Sequence, residues 1–238
     1  MDLKEEEILG DQVDAHWYYK AKAAALLKDC AALKPTAILD IGAGSGFFSR
    51  QLLAHTEAAR ATCVDIGYAQ DRDEEWCGKP LLFRRTINAS DADLVLAMDV
   101  IEHVEDDAAL MRPYVDLVSR GARFIFSVPA FSFLWSGHDV FLGHHRRYSL
   151  TELERSIAKF GLVLDWSHYY YALVFPLAAA MRFMERTRSS QAGEPKSQLR
   201  RHGALVNGAL SALCAAERPL MRANKLGGLT VFAGCHKP

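Results

Sequence analysis

The residues best placed to do chemistry begin with Asp40-Ile41-Gly42-Ala43-Gly44-Ser45-Gly46. The apolar run Ala37–Ile41 enters this turn and a helical pattern over Phe47–His55 leaves it. A strand, turn and helix in that order put backbone N–H groups and the positive end of a helix beside a ligand anion. Glycines are needed there because a Cβ would block close approach or a positive φ. Their spacing is Gly-x-Gly-x-Gly. The Gly-x-Gly-x-x-Gly of dinucleotide oxidoreductases would place its third glycine at the position held by Phe47. Asp40, two residues before the first glycine, is positioned to complement an ammonium group directly or through water, while the helix end faces a carboxylate. Asp65 closes a second apolar run, 61–65, where a carboxylate can accept from both hydroxyls of a ribose.

Two further clusters follow strands. Asp99-Val100-Ile101-Glu102-His103 comes directly after the apolar run 93–98, where open α/β sheets present ligand-facing residues. The stretch VPAFSFLWSGHDVFLGHHRRYS, residues 128–149, brings Trp135, His138, Asp139, His144, His145, Arg146, Arg147 and Tyr148 into one loop. A histidine beside a carboxylate is suited to proton transfer near neutral pH. His138 or His144 is the expected base and Asp139 the group that orients one of them. Arg146 and Arg147 with Tyr148 would hold an anionic or hydroxylated acceptor, or else pair with acids and brace the loop.

The elements that must position these groups read as alternating strands and helices. Residues 16–33 form an Ala-, Leu- and Lys-rich helix that ends at Pro35. Apolar runs at Ala37–Ile41, 61–65, 81–84, 93–98 and 123–128 are the first five strands, with 162–166 and 229–234 as the last two. Nearly continuous apolar strands alternating with helices indicate a parallel sheet covered on both faces. A helix over 151–160 starts near Ser149 and ends at Gly161. Between the last two strands lies an excursion, 169–226, read as two helices joined by a polar stretch, 186–202.

ILDIGAGSGFFS, the acid Asp65 and DLVLAMDVIEHVEDD, in that order, resemble the first-, second- and fourth-strand motifs of class I methyltransferases that use S-adenosylmethionine. The resemblance implies an α/β Rossmann-like fold with a seven-stranded, mostly parallel sheet, an antiparallel last strand and a helical cap. It implies that the cofactor is S-adenosylmethionine, held by Asp40, Gly42, Ala43, Gly44, Gly46, Asp65, Ile66, Met98, Asp99 and Val100. The acid that usually meets the adenine after the third strand has no clear counterpart, and Asn88 and Asp91 are the candidates to replace it.

Asp99-x-x-Glu102-His103 is similar to the D/E-x-x-E-H element of ubiquinone-biosynthesis O-methyltransferases, where the acids and the histidine have been linked to a divalent metal. Two acids and one histidine over five residues are not selective for a metal, and none is expected here. The loop resembles the VPA…W…HD…GH-x-RRY pattern of a related bacterial subgroup, and His16-Trp17-Tyr18-Tyr19-Lys20 resembles that subgroup's HWW-x-R element. Together these resemblances span most of residues 16–166 and imply Trp17, Tyr18, His103, Trp135, His145, Arg146, Arg147 and Tyr148 as acceptor-binding residues.

The bulk numbers fit one α/β domain spanning residues 1–238, with 1–30 and 169–226 as cap or substrate lid. The 238 residues are 50% hydrophobic and 24% charged, and a net charge of −1 gives no reason to expect a nucleic-acid partner. Five scattered cysteines with no CxxC pair favour a reducing compartment. No signal-peptide pattern opens the chain, and no run reaches the length that spans a bilayer, so a cytoplasmic location is expected. The excursion is apolar at Tyr169-Tyr170-Tyr171-Ala172-Leu173-Val174-Phe175-Pro176-Leu177 and basic nearby at Arg182, Arg186 and Arg188. Core packing, a homodimer face, a lid over the acceptor and a peripheral membrane contact are all open to it. The expected reaction is methyl transfer to oxygen or nitrogen of a small molecule, lipid-linked and saccharide acceptors included. The alternatives are a non-catalytic cofactor-binding partner subunit and, on spacing less favoured, a nicotinamide oxidoreductase.

Overall fold

Strands β1 (Ala37–Ile41) and β5 (Leu94–Met98) are buried at every position, as strands in the middle of a sheet covered on both faces must be. Around them the computed structural model, which describes residue 13 and residues 15–188 and 203–238, builds one eight-stranded sheet. The other strands are β2 (Arg60–Val64), β3 (Arg72–Trp76), β4 (Lys79–Arg84), β6 (Arg123–Pro129), β7 (Val163–Tyr170) and β8 (Thr230–His236). Their order is β3-β4-β2-β1-β5-β6-β8-β7. β4, β2, β1, β5 and β6 are parallel, and β8 runs antiparallel between β6 and β7.

Side chains alternate across the sheet and make two cores. Ile38, Leu96 and Phe232 face helices α1 (Trp17–Cys30) and α2 (Phe47–His55), where Leu26, Phe48 and Leu52 meet them. Leu39, Val95 and Phe126 face helices α3 (Asp107–Leu117) and α5 (Leu150–Lys159) through Met111, Val115, Leu153 and Ile157. Between β6 and α5 lies the short α4 (Gly137–Leu142). α5 starts at a capping box: Ser149 accepts from the Glu152 N–H while Glu152 accepts from the Ser149 N–H.

Two expectations need correction. The sheet has eight strands rather than seven, because β3 folds back on β4 through Cys77 (φ 53°) and Gly78 (φ 73°), the left-handed pair a tight hairpin uses. Its sequence, Arg-Asp-Glu-Glu-Trp, is a charged edge strand in which apolar patterning is absent. β7 also runs on to Tyr170, so Tyr169 and Tyr170 belong to the sheet and the excursion begins at Tyr171.

The excursion contains α6 (Phe175–Arg188) and α7 (Ala204–Glu217). α7 is tied to α1: Asn207 accepts from the Trp17 N–H at 2.8 Å and donates to the Ala15 carbonyl at 2.8 Å. The Tyr170 hydroxyl donates to the Cys214 carbonyl at 3.1 Å, fixing α7 to the sheet as well. Residues 1–12 and 14 of the expected cap, and 189–202 of the expected polar joint, lie outside the described residues.

Candidate active site

A cavity of about 400 Å³ opens at the carboxyl ends of the parallel strands, the end at which open α/β sheets bind ligands. Its floor is Ile41 and Gly42; Asp65 and Ile66 form one wall, and Asp99, Val100, His103 and Val104 another. Arg85 and Thr86, just past β4, and Leu110 and Tyr114 of α3 complete it.

The glycine turn is shaped by close approach. Gly42 sits at φ 61°, and a Cβ there would lie 2.7 Å from Cγ2 of Val100. Gly46, at φ 74°, begins α2, and its Cβ would press on Cys63 and Phe83 at 3.1 Å. Asp65 ties the turn to its own wall: one oxygen accepts from the Gly44 N–H at 3.0 Å, the other from the Gly67 N–H at 2.8 Å. Ala43 is buried behind this turn.

Asp40 and Met98, expected at the cofactor, do not line this cavity. Asp40 is buried and accepts from the Ser49 hydroxyl at 2.8 Å, fastening β1 to α2, and burial pushes its carboxyl up to about 6. Met98 is packed into the core. Of the two residues expected to meet the adenine, Asp91 is paired with Arg60 and Asn88 is exposed. The first residues past β4, Arg85 and Thr86, line the cavity, whereas Asn88 and Asp91 do not.

Sequence reasoning missed Lys22. Its side chain is fully buried on α1 and its ammonium pairs with Asp99, with a second bond to the Tyr18 hydroxyl at 2.7 Å. Burial alone would lower the ammonium's pKa, but the charge of Asp99 overcomes this and holds it above the usual lysine range. Asp99 is held below the usual carboxylate range in turn: Lys22 outweighs burial. Asp99 has φ 57°, and its other oxygen accepts from the Ser127 hydroxyl at 3.0 Å. The expected basic position, Lys20, is exposed. One signal was available, since Lys22 lies one helical turn beyond Tyr18. Tyr18 stacks on Tyr171 at 5.1 Å and Trp17 meets the same ring edge-on at 5.8 Å, so both join α1 to the excursion and neither lines the cavity.

In the loop after β6, Ser136 caps α4, and Asp139 closes the box by accepting from the Ser136 N–H at 2.8 Å. Gly143, at φ 77°, ends α4 and reverses the chain so that His144 returns beneath Asp139. Nδ1 of His144 lies 2.9 Å from Asp139 Oδ1. Because a carboxylate only accepts, Nδ1 carries the proton and Nε2 is the basic nitrogen. Arg147 grips the same carboxylate at 2.7 and 3.0 Å. Burial would raise the Asp139 carboxyl; the bonds from His144 and Arg147 and the guanidinium charge hold it far below its usual range.

Asp139 therefore orients His144; its oxygens are taken by His144, Arg147 and Ser136, and the half-buried His138 ring is not among those partners. Three expected acceptor contacts are braces. Arg147 also donates to the Ala130 carbonyl at 3.1 Å. Arg146 donates to the Val104 carbonyl at 3.3 Å and to that of Glu105. The buried Tyr148 hydroxyl meets Asp107 at 3.2 Å and the Ile101 carbonyl at 3.3 Å. His145 is exposed, and Trp135 is half-buried at the start of the loop.

The loop meets the cavity at His103, whose ring lies edge-on to that of His144 at 4.7 Å. Beside them Glu102 is buried, and neither of its carboxylate oxygens has a hydrogen-bond partner among the described residues. Burial, then the charge of Asp99, keeps its carboxyl well above the usual range. The acid–acid–histidine set that the sequence resemblance links to a metal does not converge, because Lys22 occupies Asp99. A different trio does: one ligand atom each from Glu102, His103 and His144 lie within 4.8 Å of one another.

A family model described as a methyltransferase domain matches residues 15–165. No curated protein matches by sequence. Among solved structures, phosphoethanolamine N-methyltransferase 2 of Haemonchus contortus, in complex with S-adenosyl-L-methionine, aligns with TM-score 0.56 and 14% identity over 100% of this chain and 60% of that one. The N-methyltransferase NodS of Bradyrhizobium japonicum, in complex with S-adenosyl-L-homocysteine, gives 0.52 and 12% over 97% and 90%. An S-adenosylmethionine-dependent methyltransferase of Mesorhizobium loti gives 0.53 and 15% over 91% and 99%. At these identities the likeness is one of fold.

Proposed function

Since the chain belongs to the methyltransferase-domain family, whose cofactor is S-adenosylmethionine, we propose that it methylates an oxygen or nitrogen of a small-molecule acceptor, with His144 receiving the acceptor's proton. The observation that carries this reading is the Asp139–His144 pair, delivered through His103 to the rim of the cofactor cavity. Asp65 would accept from the cofactor's ribose hydroxyls, and Ile66, Leu110 and Tyr114 would hold its adenine. The start of α2 and Lys22 attract its carboxylate.

Methyl transfer is an in-line displacement. The acceptor lone pair forms a bond to the methyl carbon as the carbon–sulfur bond breaks, and the electron pair stays on sulfur, giving S-adenosylhomocysteine. The acceptor proton passes to Nε2 of His144. Asp139 stabilises the resulting imidazolium without itself taking the proton, while Arg147 keeps that carboxylate ionised and in place. Alignment supplies most of the acceleration.

An extract screen with methyl-labelled cofactor identifies the acceptor, after which single turnovers test the base. His144→Ala should lower the rate about 10²–10⁴-fold at unchanged S-adenosylhomocysteine affinity, and His138→Ala should stay near the parent. Equal rates for the parent and His144→Ala refute the assignment.

A second reading rests on the unpartnered Glu102 carboxylate facing two imidazoles. There Glu102, His103 and His144 would hold a divalent cation, whose chemistry would be polarisation of the acceptor oxygen, and Asp139 would be the carboxylate behind a ligating histidine. Metal analysis of the purified protein separates the readings: bound metal that Glu102→Gln abolishes favours the second, and its absence with full activity after chelation favours the first.

A further inference from the structure

Helices α6 and α7 leave apolar faces that nothing in the described fold covers. Along α6 and the turn before it, Leu173, Leu177 and Met181 recur at helical spacing and all are exposed, while Phe183 beside them is 71% exposed. The inward side is short, with Ala178 and Ala179 half-buried. Its anchor is Phe175, whose ring meets Phe131 at 5.6 Å and Phe133 at 6.2 Å. α7 spends one face on α1 and β7. Its other face carries Leu205 (91% exposed), Leu213 and, just beyond the helix, Leu220 (74%), with no charged residue between 204 and 216. A solvated helix face is normally polar, and a short helix with its apolar stripe in water is marginal. Contiguous apolar surface of this kind marks an interaction site.

We infer that this face rests on an anionic lipid surface, with α6 and α7 lying along the headgroup boundary. Charge selects the occupant. Residues 182–225 hold nine Lys/Arg against three Glu, leaving nineteen basic against twenty-six acidic residues in the rest of the chain. Glu217 is turned inward onto the backbone N–H groups of Tyr171 and Leu173, Arg222 onto Asp29 and Lys225 onto the Ser167 carbonyl, which leaves seven basic residues against two acidic ones in this segment. Two copies of the chain meeting here would set like charge against like, whereas anionic headgroups complement it. Apolar helices with basic company lie in the interface plane, and no described helix is long and apolar enough to cross a membrane. Phe131 and Phe133 belong to the loop that carries Asp139 and His144, so the contact through Phe175 brings the acceptor side of the site next to the lipid.

The test is sedimentation of the full chain with vesicles of phosphatidylcholine alone and of phosphatidylcholine mixed with phosphatidylglycerol, at low and high salt. Binding to the mixed vesicles is expected, about tenfold or more above the neutral ones and weakened by salt. A Leu177→Ser, Phe183→Ser, Leu205→Ser variant should lose about tenfold or more of that binding at an unchanged melting temperature, because all three side chains are already exposed. No binding to mixed vesicles, or equal binding to both kinds, overturns the inference. A dimer in light scattering that the same variant dissolves, in place of vesicle binding, gives the face to a second copy and overturns it too. None of these outcomes depends on methyl transfer.

Discussion

At the scale of single residues, the site is governed by which charges are matched. Asp40 is a buried acid met by Ser49, through its hydroxyl and its backbone, and burial raises its carboxyl to about 6. A raised folded-state pKa means the folded protein binds the proton more tightly than the unfolded chain does. The ionised form therefore costs stability above pH 6, roughly 3 kcal/mol, and that cost disappears as pH falls toward 4. Asp40→Asn, which keeps an acceptor for Ser49, should be more stable than the parent at pH 7 in urea titrations and lose the advantage by pH 4. A less stable variant at pH 7 would show that the carboxylate is compensated. Lys22 and Asp99 present the opposite case, a matched pair with a fully buried ammonium. Lys22→Met should destabilise by about 3 kcal/mol by leaving Asp99 alone, and adding Asp99→Asn should restore most of the loss. Additive losses from the two changes would argue against the pairing.

At the scale of elements, the chain aims His144 by ending a helix at a chosen place. Gly143 is left-handed at φ 77° and has open space where a Cβ would be, so Gly143→Ala meets backbone strain rather than a clash. A stability loss of about 1 kcal/mol is expected, with a larger fall in methyl transfer, because the return of His144 beneath Asp139 depends on that φ. Loss of stability with full activity would detach the turn from the chemistry. The same turn explains what was legible. Sequence spacing showed that Asp139 would hold one of two histidines; choosing His144 required the reversal at Gly143, a conformation that spacing does not reveal. The buried strands were readable because a doubly covered parallel sheet demands continuous apolar runs. The charged edge strand β3 was not, for it buries almost nothing. Arg146, Arg147 and Tyr148 have the composition of an acceptor site, yet Arg147 is spent on Asp139 and Ala130 of its own loop, and Arg146 and Tyr148 on carbonyls and an acid between residues 101 and 107. Lys22 escaped notice because a lysine on a helix is ordinarily solvated.

At the scale of the whole molecule, the sheet places its two kinds of work at neighbouring edges of one cavity. The turns after β1, β2 and β5 wall the cavity that the proposal gives to the cofactor, and the loop after β6 brings His144 against His103 at the same rim. The excursion, with its basic excess, hangs beside that loop through Phe175. All of this rests on the cavity being the cofactor site. Titration calorimetry with S-adenosylhomocysteine, on the parent and on Asp65→Asn, tests that most directly. One saturable site per chain is predicted for the parent, weakened about tenfold or more in Asp65→Asn, since a carboxylate that accepts from both ribose hydroxyls contributes about 1.5–3 kcal/mol through charge-assisted bonds. No saturable binding, or equal affinity in a variant that keeps the parent's melting temperature, would contradict it.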